Sequence, residues 1–189
     1  MSLTRRAFVS GALAWTVSPA WAADSTWQRL RAGGLVVLMR HASTVAGNGD
    51  PPNFRLDDCS TQRNLSDAGR DEARRIGERF RKERVPVERV YTSPWCRCRE
   101  TATLAFGNAQ DWEPLGSFFD SPERDDERTE HVRKRIASYS IRKPKGNVVM
   151  VTHAVNIASL THRNVGTAEL VVVRPDGCCG LRVLDQVKI

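Results

Sequence analysis

What this chain lacks narrows its function first. No stretch of about 18 or more apolar residues occurs, so nothing reads as a full membrane-spanning helix. There is no C-x-x-C pair among the five cysteines, which removes the usual zinc-ribbon spacing. Aromatic residues are sparse and not interleaved with the basic ones, so no stacking platform for single-stranded nucleic acid is present. No internal repeat or low-complexity linker breaks the chain. No acidic residue precedes Asp24. Histidine is scarce too: there are four, and where they fall becomes informative.

The 189 residues suffice for one domain with a proper core. The formal charge is +7. Much of it lies on segments such as "GRDEARRIGERFRKER", where acids and bases alternate as on a solvated helix face. The inference kept from that charge is attraction of anionic substrates rather than nucleic-acid binding.

The first two dozen residues read as a processing signal. Arg5-Arg6 precede an apolar stretch from Ala7 to Val17, then Pro19 and an A-x-A cleavage pattern at Ala20-Trp21-Ala22. Paired arginines two residues before Phe8 resemble the twin-arginine export signal of bacteria, the alternative being an ordinary secretory signal. The expected organisation is a signal over 1–22 and one domain over 23–189, in a periplasmic or secreted protein with no membrane span once the signal is removed. In an oxidising compartment some of Cys59, Cys96, Cys98, Cys178 and Cys179 should pair. Neighbours Cys178-Cys179 and Cys96/Cys98 are poor partners for themselves, and a bridge from Cys59 to the 96–98 segment is the plausible one.

Strand and helix patterns alternate. "GLVVLM" (34–39) and "GNVVMVTH" (146–153) are apolar throughout, as strands of a buried parallel sheet are. Ser66 caps a helix running to about Glu83, with Ala73, Ile76 and Phe80 on one stripe. "VERVYTS" is a strand; "RCRETATLAF", "ERTEHVRKRIASY" and "NIASLTH" are helices. "AELVVVRP" and "GLRVLDQVKI" are closing strands about a turn at Pro175-Asp176-Gly177. The fold class is therefore α/β: a single domain with a mostly parallel central sheet and helices on both faces. Residues 42–64 form a polar loop long enough to be functional.

Both fully apolar strands end on a histidine, His41 and His153, at the carboxyl edge where open α/β sheets place their ligand crevice. Arg40 precedes His41, and Arg97 follows the end of a third strand. Arginine forks match tetrahedral oxyanions, and histidine serves as nucleophile or proton carrier, so the combination suits phosphoryl transfer. Ser43, Thr44 and Arg63 lie on the adjoining loop, and Asn156 follows His153; these are substrate-contact candidates. His131, His162 and Arg99 read as surface or helix-end residues.

These segments resemble the histidine phosphatase superfamily, with its phosphoglycerate mutase-like fold. "LMRHAST" resembles its RHG motif, "TSPWCRCRETA" its SSPLxRAxxTA segment, "LSDAGRDEA" its LSExGxxQA helix start, and "VTHAVNIASL" its second histidine motif. The resemblance implies a metal-independent phosphatase without cofactor, acting on a small phosphorylated substrate. His41 would be the nucleophile, Arg40 and Arg97 would grip the phosphoryl oxygens, and His153 would bond the same group. Two positions depart from the pattern. Ala42 stands for the glycine, and Ala154 stands where the acid-phosphatase branch, which "HAVNIASL" and "TAELVVV" look like, carries its proton-donating aspartate. The mutase-like branch places a glutamate downstream, in a window that here holds Glu113, Asp120, Glu123, Asp125 and Asp126. Asp120, flanked by apolar residues, is the preferred donor and Glu169 the alternative. Without a donor the scaffold would be a phosphoryl-ligand binding protein with weak or lost catalysis.

Overall fold

A computed structural model describes residues 19–119, 125–178 and 180–189, with side chains from Thr26 onward. The proposed signal lies almost wholly outside the described residues, as do Asp120, Glu123 and Cys179. The elements are α1 (Pro19–Ala32), β1 (Val36–Arg40), α2 (Asp67–Lys82), β2 (Val87–Thr92), α3 (Cys96–Phe106), β3 (Gln110–Asp111), α4 (Asp125–Arg142), β4 (Asn147–Thr152), α5 (Ala154–Thr161), β5 (Leu170–Asp176) and β6 (Gly180–Val187).

One six-stranded sheet has the order β3-β2-β4-β1-β5-β6. β1, β2, β3 and β4 run parallel, while β5 and β6 form an antiparallel extension beside β1. Strand alternation divides the core into two layers. Val37 and Met39 of β1, with Val149 and Val151 of β4, face Trp27, Leu30, Ile76, Phe80 and Ala102 of α1–α3. Val36, Leu38, Val148 and Met150 face Val132, Ile136, Ile157 and Leu160 of α4 and α5. The two strands read as apolar throughout are thus buried on both faces. Helices do cover both sides of a mixed, mostly parallel sheet.

Ser66 caps α2, its hydroxyl accepting from the Gly69 amide, and Ala73, Ile76 and Phe80 are buried along one side. Two features escaped the sequence pattern. α1 packs Trp27 edge-on against Phe80 and buries Leu30, a stripe of only two positions. β3 is two residues long, too short for any periodicity. The closing turn also shifts: Pro175 and Asp176 belong to β5, paired with Leu181 and Gly180. Proline is tolerated there because β1 pairs with β5 only as far as Val173, leaving that side without a ladder partner. No helix among the described residues is long and apolar enough to cross a membrane.

Candidate active site

The carboxyl ends of β1, β2 and β4 open onto a pocket of about 180 Å³. Its wall includes Arg40, His41, Asp50, Arg63, Arg97 and His153, with Ser117, Phe119, Ala154 and Val155 toward the rim. Arg40 ends β1, and parallel pairing sets it beside Thr152, so the next residue of each strand delivers a histidine to the same edge. The His41 and His153 rings lie 5.4 Å apart between centroids, at 66°.

Hydrogen bonds fix how each imidazole is presented. His41 Nδ1 lies 2.8 Å from the Ala42 carbonyl oxygen, which can only accept. Nδ1 therefore carries the proton, and Nε2 holds the lone pair. The Ala42 amide donates to Thr101 Oγ1, whose hydroxyl donates to the Arg97 carbonyl, locking that turn onto α3. His153 Nε2 meets Ser93 Oγ at 2.8 Å and the Cys98 thiol at 3.5 Å, and the Trp95 ring stands edge-on 5.4 Å from it. Nδ1 is its remaining polar atom. Both histidines are over nine-tenths buried. Burial, with the charges of Arg97, Arg40 and Arg63, pushes His41 down to about 3, although its bond to the Ala42 carbonyl opposes the shift. Burial, then His41 and the arginines, lower His153 well below the ordinary imidazole value. Both are neutral at physiological pH.

Three arginines share the pocket wall. Nε atoms of Arg40, Arg63 and Arg97 are all buried without a protein partner. Burial and then the charges of Arg63 and Arg97 lower the Arg40 pKa, with Glu169 opposing the shift. An orphaned buried N–H costs about 1–3 kcal/mol, and all three of these residues line the one pocket. The first residues of α5, Ala154 and Val155, line the same pocket, and a helix N-terminus favours negative charge.

Other candidates sit elsewhere. Ser43 spends its amide and hydroxyl on Glu72, with Thr167 also bonded to its hydroxyl. Thr44 forms a bridge with Leu65. Asn156 donates to the Gly116 carbonyl. The Glu169 carboxylate accepts from the Gly166 amide and the Gln186 side chain. None of these four lines the pocket. Of the downstream acids, Glu113 pairs with Arg128 and Asp125 accepts from Thr129 and Ser159, while Asp120 and Glu123 lie outside the described residues. Arg99 is on the surface, paired with Asp111. His131 is exposed, and His162 is the C-cap of α5.

Among the described residues the carboxylate that lines the pocket is Asp50, which carries no sequence signal: "GNGDPPN" reads as turn chemistry. Burial alone would raise its pKa, but hydrogen bonds from Arg97, the Arg63 amide and Trp95 bring the net shift below the usual carboxylate value. It is ionised and not a proton donor. The loop bearing it is stapled to α3 by a Cys59–Cys96 disulfide, with Cα atoms 5.7 Å apart, and by the Cys96 amide donating to Gln62. Cys98 is a buried thiol pushed up to about 12 by burial. Among the described residues no group of three or more His, Cys, Asp or Glu side chains is placed to hold a metal ion.

Residues 36–116 match the sequence model of the histidine phosphatase superfamily, branch 1. That stretch, 81 of the 189 residues, is similar in sequence to the superfamily. The matched stretch contains Arg40, His41, Arg63 and Arg97 and ends before His153. No curated protein matches the chain in sequence. Solved histidine phosphatase structures are similar in fold. The protein histidine phosphatase SixA complexed with tungstate is 18% identical, with a TM-score of 0.60 over 82% of this chain and 96% of its own. YhfR of Bacillus stearothermophilus is 18% identical, with a TM-score of 0.59 over 79% and 94%. A phosphoserine phosphatase of Entamoeba histolytica, solved with 3-phosphoglyceric acid, is 12% identical, with a TM-score of 0.55 over 82% and 97%. Their different names show that this histidine phosphatase fold does not by itself decide a substrate.

Proposed function

We propose that this chain is an exported phosphatase that hydrolyses phosphoric monoesters and related phosphoryl compounds through a phosphohistidine on His41, without metal or cofactor. The observation that carries the reading is the convergence of three arginines with orphaned buried Nε–H groups and a neutral histidine whose lone pair is on Nε2. A similar fold solved with tungstate, a tetrahedral oxyanion, supports it. His41 Nε2 attacks phosphorus and a P–N bond forms. The P–O bond opposite breaks, its electron pair leaving with the oxygen. Arg40, Arg63 and Arg97 neutralise the equatorial oxygens, and His153 bonds the group in transfer. Water then breaks the P–N bond and releases phosphate.

The wall beside the leaving group narrows the substrate class. Among the described residues of the pocket Ala154 supplies no proton and Asp50 is held ionised, while Asp120, the preferred donor, follows Phe119 and lies outside them. General-acid help is worth about 10²–10⁴ in rate, so an alkoxide leaving group would suffer most from its absence. The preferred substrates are those whose leaving group departs easily: aryl phosphates, acyl phosphates and phosphoramidates. Export is supported by the arginine pair, apolar stretch and A-x-A pattern of residues 5–22, and a Cys59–Cys96 disulfide suits an oxidising compartment. A mature amino terminus near Ala23 in the periplasm or medium tests that part.

Ala154 also favours a second reading, a phosphoryl-ligand binding protein on the same scaffold. Purified protein, incubated with p-nitrophenyl phosphate in excess EDTA, separates the two. Turnover that resists chelator and disappears in His41→Ala supports the phosphatase. Tungstate binding without turnover supports the binding protein, and neither property would sink both.

A further inference from the structure

A carboxylate in an oxyanion pocket is at first sight misplaced, because it repels the anion the arginines attract. Yet the Asp50 side chain is only 2% exposed and is surrounded by donors. Oδ1 accepts from the Arg63 amide at 2.9 Å and from Arg97 Nη1 at 2.8 Å. Oδ2 accepts from Trp95 Nε1 at 3.1 Å and from the same Nη1 at 3.0 Å. All four contacts are donations to oxygen, so an amide in that place would set its own N–H groups against a donor.

The choice of guanidinium atom is the informative part. Asp50 takes only Nη1 of Arg97, and Arg97 Nε is buried with no protein partner. A guanidinium grips a tetrahedral anion with two parallel N–H groups, and the Nε/Nη2 edge is one such fork. Holding the Nη1 corner fixes the plane of the group and leaves that edge for the ligand. Trp95 completes the brace, because its indole anchors Asp50 while its ring abuts His153.

We propose that Asp50 is a positioning residue for phosphoryl transfer, acting through Arg97 by presenting its Nε/Nη2 edge to the phosphoryl oxygens. The inference rests on the pocket being a phosphoryl-transfer site. Asp50 does not touch the reacting atoms, and its effect requires Arg97. Once Arg97 is gone, the carboxylate keeps the Arg63 amide and Trp95 but has lost its paired cation, and its charge repels the anion.

Two backgrounds test this, with kcat and KM for p-nitrophenyl phosphate and calorimetric tungstate titration as readouts. In the otherwise native protein, Asp50→Asn loses about 10²-fold in kcat/KM, with kcat falling as well as KM rising, because misplacing a clamp by about 1 Å costs that much. Tungstate binding weakens, while circular dichroism stays native. In an Arg97→Ala background, Asp50→Asn leaves both readouts equal or improved, the signature of action through Arg97. A further drop there shows a general structural role and overturns the proposal, as does a single variant within twofold of native activity. Should Asp50→Asn not fold, Trp95→Phe removes one anchor and keeps the ring: a smaller loss confined to the Arg97 background supports the proposal, and a loss in both contradicts it. A native protein that neither binds tungstate nor turns over fails at the underlying reading, whereas native activity with a silent Asp50→Asn fails at Asp50 alone.

Discussion

Acidification should weaken this protein through its buried nucleophile. His41 is held neutral, at about 3 against an ordinary 6.5, chiefly by burial. The unfolded chain takes up a proton as pH falls through 6.5, and the folded chain does so only near 3. The contribution is therefore complete above about pH 6.5 and is lost progressively below it. At about pH 5 the loss from His41 alone is about 2 kcal/mol, from 1.5 units at 1.36 kcal/mol each. His153, lowered in the same direction, adds to it. Asp50 does not confuse this window, since its pKa lies below 3.8 and its own contribution is lost only at still lower pH. Urea unfolding at about pH 7.5 and about pH 5 measures the difference, and His41→Gln, which cannot protonate, should remove about 2 kcal/mol of it. A His41 ring resonance that titrates near the ordinary value, or equal pH dependence in both proteins, would refute the reasoning.

Other expectations follow from the same contacts. Gly69→Ala should destabilise by about 1–3 kcal/mol and lower activity, because a Cβ there would collide with the Ser43 carbonyl oxygen and push the loop behind His41; thermal melting and p-nitrophenyl phosphate turnover report both. Opening the Cys59–Cys96 bridge, with Cys59→Ala/Cys96→Ala or a dithiol reductant, should cost about 2–4 kcal/mol and raise KM, since Cys96 adjoins Arg97 and the bridge holds the loop of Asp50 and Arg63. Unchanged kinetics after verified reduction would contradict that coupling. Asn147→Leu should cost about 1–3 kcal/mol by denaturant melt, because the Leu35 amide loses the side-chain oxygen it donates to, while the Leu30 and Pro86 carbonyls keep the Gly33 amide and the backbone amide of residue 147.

The part of the site legible in the sequence is the part carried on strands. Val36–Arg40 and Asn147–Thr152 are apolar because both faces are covered, and each ends where the sheet edge delivers a polar residue to the crevice. Loop residues were not legible, because nothing periodic says where a loop closes. Ser43 and Thr44 are neighbours of His41 in sequence, yet the chain turns away at once, tying Ser43 to Glu72 on α2. Asp50, nine residues beyond His41, returns to the pocket only because the 42–64 loop folds back onto α3. Asn156 is three residues beyond His153, and helical geometry carries its amide to Gly116 on the wall behind. Glu113 needed α4 in place before its pairing with Arg128 could be seen.

The central claim is a covalent phosphoryl group on His41. Rapid mixing of the purified protein with p-nitrophenyl phosphate in EDTA, followed by alkaline quench and peptide mass analysis, tests it most directly. The account predicts one phosphoryl group on the peptide that contains His41, labile to acid as a phosphoramidate is, and none in His41→Ala. Turnover by the native protein with no such adduct, or turnover that survives His41→Ala, would contradict it.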